Sequence, residues 1–192
     1  MQRPQSNING VDVDRMRETI ETIQNDPQMA RFLFRATNRW DKAGHNQTTI
    51  HDFYGARNIH HHQQDFTLES DEPPLLLGED QGANPVEYVL TALAGCLTTS
   101  LVYHAAARGI VIDSIESELD GELDLRGFLG LSDEIRNGYQ KINVTFHIEA
   151  DAPQQTIDEL IMLAQQRSPV FDIISNPVAV SVKGEKFTGT RH

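Results

Sequence analysis

The sequence predicts an α+β domain in which antiparallel sheets flank long helices. Three observations carry this. Helical and strand periodicities come in blocks (helix, strands, long helix, strands, helix, strand) and do not alternate singly as a parallel sheet requires. The segment Lys141 to Ala150, KINVTFHIEA, alternates apolar and polar residues throughout. The run NPVEYVLTALAGCLTTSLVYHAAARG, Asn84 to Gly109, is a long apolar helical stretch with a start signal and a stop signal at its ends.

The first ten residues are polar and carry no periodicity. Val13, Met16, Ile20 and Ile23 then recur at spacings of three and four, which predicts an amphipathic helix over Val11 to Asn25. Asp12 or Asp14 caps it, and Asp26-Pro27 stops it. Residues 1–30 therefore read as a polar segment and an appended helix ahead of a single domain, 31–192. From Arg31 the period changes: Phe32, Phe34 and Ala36 alternate with Leu33, Arg35 and Thr37, a strand pattern. Gln47 to Tyr54 is a second strand, reached through the turn-rich DKAGHN, and Gln64 to Leu68 a third. Together they predict an antiparallel meander. SDEPPLLLGEDQGANP is a turn-rich connection into the long helix.

Asn84 suits the cap of that helix and Pro85 its first position, while Gly109 is free to adopt a left-handed stop. Val86, Val89, Leu90, Leu93, Leu97, Leu101 and Val102 spread over most faces, which predicts burial. Small residues such as Ala92, Gly95 and Thr99 leave room for a second backbone to approach. Strands follow at Val111 to Leu125 and Lys141 to Ala150, separated by RGFLGLSDEIRNG. Pro153 to Gln166 places Ile157, Leu160, Ile161 and Ala164 on one helical face, and Val178 to Val182 reads as a closing strand.

Composition excludes several function classes. The 192 residues are 39% hydrophobic, enough for an ordinary core. With 16 basic and 28 acidic residues the net charge is −12, which repels phosphate backbones and argues against nucleic acid as a partner. A single cysteine excludes an intramolecular disulfide and a metal site built on several thiolates. The N-terminus lacks the apolar run of a signal peptide, and no segment approaches about 18 unbroken apolar residues. The expectation is a soluble cytoplasmic protein with no membrane span, no cofactor and no metal. His60 and His62 share one strand face and His61 takes the other, but two ligands do not make a metal site; a solvated strand edge is the reading.

Cys96 sits in the middle of the long helix and admits two readings. A free cysteine is often a small buried hydrophobe. A reactive one needs its thiolate stabilised by a cation or a helix N-terminus, and Cys96 lies roughly three turns into its own helix. His104 is eight residues on, roughly 80° around the helix and two turns along it, too far for a direct hydrogen bond within one chain.

The run GEDQGANPVEYVLTALAGC resembles the signature of the OsmC/Ohr superfamily, the osmotically inducible and organic hydroperoxide resistance proteins. RSPVFDIISNPVAVSVKG is similar to that family's second motif, in which Cys-Pro-Val precedes a helix and a closing strand. The resemblance spans about Arg31 to Gly184 and leaves the N-terminal helix outside. It implies an intertwined homodimer with active sites at the subunit interface. It also implies peroxiredoxin-like reduction of organic hydroperoxides in oxidative or osmotic stress defence. Cys96 stands at the peroxide-attacking position, and Ser168 where the second, resolving cysteine would be. A two-cysteine cycle is then impossible within one chain, whereas a one-cysteine cycle using an external thiol reductant is open. In the family's hydroperoxide-reducing branch a glutamate directly after the proline helps hold an arginine beside the thiolate; here that place is Val86 and the carboxylate is Glu87. Glu87 is nine residues from Cys96, about half a turn away around the axis, and a first-turn carboxylate also suits the helix dipole. The activating arginine would come from Arg35, Arg39 or Arg57, of which Arg39 is the choice. The alternative is an inactive dimer of this type that binds an apolar or acyl ligand, or a protein partner.

Overall fold

The computed structural model describes residues 7–186. It opens with a hairpin absent from the sequence reading: β1 (Asn7–Ile8) pairs antiparallel with β2 (Val11–Asp12) across Asn9-Gly10. Both turn residues have positive φ, 56° and 78°, the backbone that an Asn-Gly pair adopts readily. Of the ten residues read as patternless, 7–10 thus belong to a built element, and residues 1–6 lie outside the described residues. The Asn9 side chain pins this hairpin to the body of the fold: Nδ2 donates to Ile110 O and Oδ1 accepts from Ile112 N, both at 2.9 Å. Helix α1 (Val13–Asn25) follows, capped by Asp12, whose carboxylate accepts from Arg15 N.

The first sheet is a meander. β3 (Leu33–Phe34) and β4 (Thr37–Lys42) lie along one side of β5 (His45–Gly55), and β6 (Asn58–Ser70) lies along the other. β6 is much longer than Gln64 to Leu68. Its first half, NIHHHQQ, has Ile59 as its one apolar residue, so no alternation announced it, yet it is paired to β5 as far as Asn58.

The connection to the long helix is held from inside. Asp71, 1% exposed, accepts backbone N–H groups from Glu72, Glu79 and Gln81. Burial pushes its carboxyl up, but these three donors hold it below its ordinary value. The glycines of GEDQG serve the same close passage: a Cβ on Gly78 would lie 1.7 Å from Glu72 O, and one on Gly82 2.3 Å from Glu69 O.

Helix α2 (Pro85–Ala107) begins in a capping box: the Asn84 side chain accepts from Val86 N, and Glu87 Oε2 accepts from Asn84 N at 2.8 Å. Gly109 ends it at φ +75°. By length and composition α2 could cross a membrane, with a mean hydropathy of 1.4. Its stripe Leu93, Leu97, Leu101, Ala105 instead faces the core. The expected burial on most faces is met only on that stripe and at Ala106. Ala92, Gly95, Thr99 and Tyr103 are exposed.

That side is the second sheet and its helices. β7 (Ile112–Glu122) pairs with β8 (Lys141–Ala150), with the one-turn helix α3 (Leu125–Phe128) in the loop between them. Helix α4 (Gln154–Arg167) buries Ile157, Leu160 and Ala164. Leu101, Ala105, Leu160 and Ala164 are all at most 1% exposed and form the core cluster, flanked by Ile112, Ile115 and Ile148. Each fully buried leucine there is worth about 2 kcal/mol of burial. Helix α5 (Pro169–Ser175) starts at once, capped by Ser168. The closing strand expected over Val178 to Val182 is absent: residues 177–186 carry no regular structure. Val178, Val180 and Val182 are 55%, 81% and 88% exposed. The alternation is strand-like, but a strand needs a ladder partner, and none of the described residues pairs with it.

Candidate functional site

Cys96 lies on α2 between the buried Leu93 and Leu97, at the edge of their stripe, and is half-buried. Ser168, 72 residues away, donates its hydroxyl to Cys96 Sγ at 3.1 Å. Ser168 is only 2% exposed, because it closes the junction between α4 and α5. The same oxygen accepts from Phe171 N at 3.1 Å as the α5 cap. Accepting from the amide leaves the single O–H proton free to point at the sulfur. Both the capping role read from Ser-Pro and the meeting of the two motifs are therefore present in one side chain.

The thiol opens on a cavity of about 370 Å³. Tyr103, His104 and Ala107 of α2 line it alongside Cys96, with Arg167 and Pro169 from the α4–α5 junction. Met16 and Ile20 of α1 complete the lining, so the helix appended ahead of the domain contributes directly to the surroundings of the thiol. Burial, then the charges of Arg108 and Arg167, push the His104 imidazole below its ordinary 6.5, which leaves it neutral at neutral pH. Among the described residues, Arg167 is the one cation that lines the cavity.

The other residues singled out from the sequence lie elsewhere in this chain. Arg39 is on β4 opposite Gln47, and does not line the Cys96 cavity. Arg35 pairs with Asp52 at 2.8 Å and Arg57 with Asp26 at 2.7 Å. Glu87 is taken up by the capping box, about 13 Å along the helix from Cys96. His60 and His62 both pack on Phe53, at ring separations of 5.2 and 5.5 Å, and His60 Nε2 reaches Gly55 O. Among the described residues, no three His, Cys, Asp or Glu side chains are placed to hold a metal. Arg167 was missed although it directly precedes Ser168: position along a chain does not reveal which way the last turn of a helix points. Met16 and Ile20 were read correctly as an apolar face, but nothing in their spacing says what that face covers.

Residues 78–183 match the model of a family described as OsmC-like protein. No curated protein matches the chain. Among solved structures, the fold is similar to that of an OsmC-like protein from Mycoplasma pneumoniae, at 17% identity and a TM-score of 0.59, covering 76% of this chain and 89% of that one. It is also similar to an OsmC-like protein of unknown function from Vibrio cholerae, at 11% identity and a TM-score of 0.56, covering 73% and 92%. A third is the organic hydroperoxide resistance protein OsmC from Legionella pneumophila, at 18% identity and a TM-score of 0.50, covering 74% and 88%.

Proposed function

The chain belongs to the family of OsmC-like proteins, and from that premise we propose that it is a one-cysteine, thiol-dependent reductase of organic hydroperoxides, acting through Cys96. The observation that supports this most is the Ser168 hydroxyl 3.1 Å from the Cys96 sulfur. The Cys96 thiolate attacks one peroxide oxygen, the O–O bond breaks, and the organic fragment leaves as an alcohol after taking a proton from solvent. Cys96 becomes a sulfenic acid, oxidised by two electrons. Ser168 has no thiol to resolve it. An external thiol attacks the sulfenic sulfur instead, water departs, and a mixed disulfide forms. A second external thiol releases Cys96 and carries the oxidising equivalents away as a disulfide.

The chain's own residues have distinct parts in this scheme. Ser168 steadies the attacking thiolate by its hydrogen bond. Arg167 supplies positive charge at the cavity. His104, neutral beside it, adds no second positive charge to the cavity. Met16, Ile20 and Tyr103 receive the apolar body of the peroxide. Cytoplasmic residence fits the scheme, since a reducing compartment supplies the external thiol.

We place the working unit as a homodimer. The small, exposed face of α2 (Ala92, Gly95, Thr99) suits close approach of a second helix, and the valine-rich segment 177–186 has the sequence alternation of a strand in need of an edge. Light scattering on the eluting peak measures this; a mass of one chain at micromolar concentration contradicts it. For the chemistry, consumption of tert-butyl or cumene hydroperoxide with dithiothreitol is compared between the wild type and Cys96→Ser. Equal rates would sink the proposal.

A further inference from the structure

A second and larger cavity, of about 560 Å³, lies against the N-terminal third of α2 and shares no lining residue with the Cys96 cavity. Its floor is apolar: Val89 from α2, Ile142 and Val144 from β8, Phe171 and Ile174 from α5. Its polar character is one-signed. In a chain of 28 acidic and 16 basic residues, the lining holds Arg136 and Lys141 and no carboxylate. Among the described residues neither cation has an ion-pair partner. Glu122, which is in register with Lys141 across the sheet, lines a different hollow. Glu87 is felt by Tyr139 on the lining, but its carboxylate is engaged by the Asn84 amide.

The loop that carries Arg136 is held in place. Tyr139 Oη donates to Val86 O at 2.9 Å, which ties the loop to α2. A Cβ on Gly127 would lie 2.6 Å from Arg136 O, and one on Gly121 would lie 2.5 Å from the Tyr139 ring, so the loop is seated closely on the turns beneath it. A cavity of a few hundred Å³ with an apolar floor and a few fixed polar groups is the ordinary form of a small-molecule site. An apolar floor calls for a hydrocarbon body. Two cations without an ion-pair partner call for an anionic head, and a guanidinium fork matches a carboxylate in geometry as well as charge.

We propose that this cavity binds an amphipathic monocarboxylate, a medium-length hydrocarbon chain with its carboxylate at Arg136 and Lys141. The site is independent of the Cys96 chemistry, and its test does not require turnover. Decanoate and decanol are titrated into the full-length protein by calorimetry. The expected result is saturable binding of one decanoate per chain, with decanol on the order of tenfold weaker because it lacks the charge. Arg136→Gln with Lys141→Gln, both at exposed positions, removes the decanoate preference about tenfold and leaves decanol unchanged. Val144→Trp, checked for folding by circular dichroism, abolishes binding of both by filling the floor. Cys96→Ser leaves every value unchanged. Equal affinity for acid and alcohol, or a preference that survives the double glutamine variant, overturns the proposal. So does a groove that takes no ligand because a second copy of the chain occupies it.

Discussion

Replacing Ser168 by cysteine is the most informative single change, because it converts the observed hydroxyl–sulfur contact into a candidate disulfide. The Oγ to Sγ distance is 3.1 Å, and a disulfide needs about 2.05 Å, so the two sulfur positions must close by about 1 Å. The bond would join residues 72 apart. Loop-closure entropy for that separation is worth about 4 kcal/mol to the oxidised form over the reduced form of the same variant. For a chain of this size that raises Tm by about 8–16 °C, less any strain in the closed bond. Against the wild type the gain is smaller, because cysteine is a poorer α5 cap than serine by about 1 kcal/mol. Thermal unfolding of Ser168→Cys with and without dithiothreitol, paired with a count of free thiols after one equivalent of cumene hydroperoxide, makes the measurement. The account predicts no free thiol, a monomer-sized band on a non-reducing gel and a higher melting point without reductant. Two titratable thiols in the folded, peroxide-treated protein would show that the Cys96 and Ser168 positions do not meet in solution, and the reasoning would fail.

Three further outcomes follow from the same geometry. Met16→Ala with Ile20→Ala should lower the rate on cumene hydroperoxide on the order of tenfold while leaving hydrogen peroxide nearly unchanged, because only the apolar body is lost from its wall; an equal loss on both peroxides contradicts that role. Leu160→Ala, at a side chain with no exposure, should cost about 3 kcal/mol and lower Tm by about 6–12 °C in a melting experiment. His45 bridges Asp41 at 3.1 Å and Glu69 at 3.0 Å, and its hydrogen bond to Asp41 raises it above 6.5 despite partial burial. A raised folded value means the protonated bridge stabilises fully below about 6.5 and that this contribution is lost as pH rises through the folded value. The stability difference between wild type and His45→Gln should therefore shrink from pH 6 toward pH 9 in urea titrations, and a difference independent of pH would refute the bridge.

Much of the fold was legible because local chemistry and global structure agree. Asn84-Pro85 and Gly109 bound α2 where caps and stops belong, and KINVTFHIEA is β8 to the residue. The misreadings have physical causes. Asn9-Gly10 forms a hairpin too short to show alternation, although Asn-Gly is itself a turn signal that could have exposed it. Val178 to Val182 has strand character but finds no ladder within one chain, since pattern describes what a segment can pair with and not whether the partner is present. The site was harder. No periodicity relates Cys96 to Ser168, and only the resemblance of two motifs put them in one place. Arg167 stands beside Ser168 in sequence, yet its direction is set by how α4 ends against α2, which no local rule supplies. The arginines of the first sheet, Arg35 and Arg57 among them, are instead held by Asp52 and Asp26.

The central claim is that Cys96 completes peroxide chemistry alone and waits for an external thiol. Intact mass spectrometry after one equivalent of cumene hydroperoxide, with a sulfenic-acid trap such as dimedone and a later addition of dithiothreitol, reads it directly. The account predicts one trapped sulfenic adduct per chain at Cys96 and, in an untrapped sample, return of the free thiol on adding dithiothreitol. A thiol left unmodified by the peroxide would contradict it.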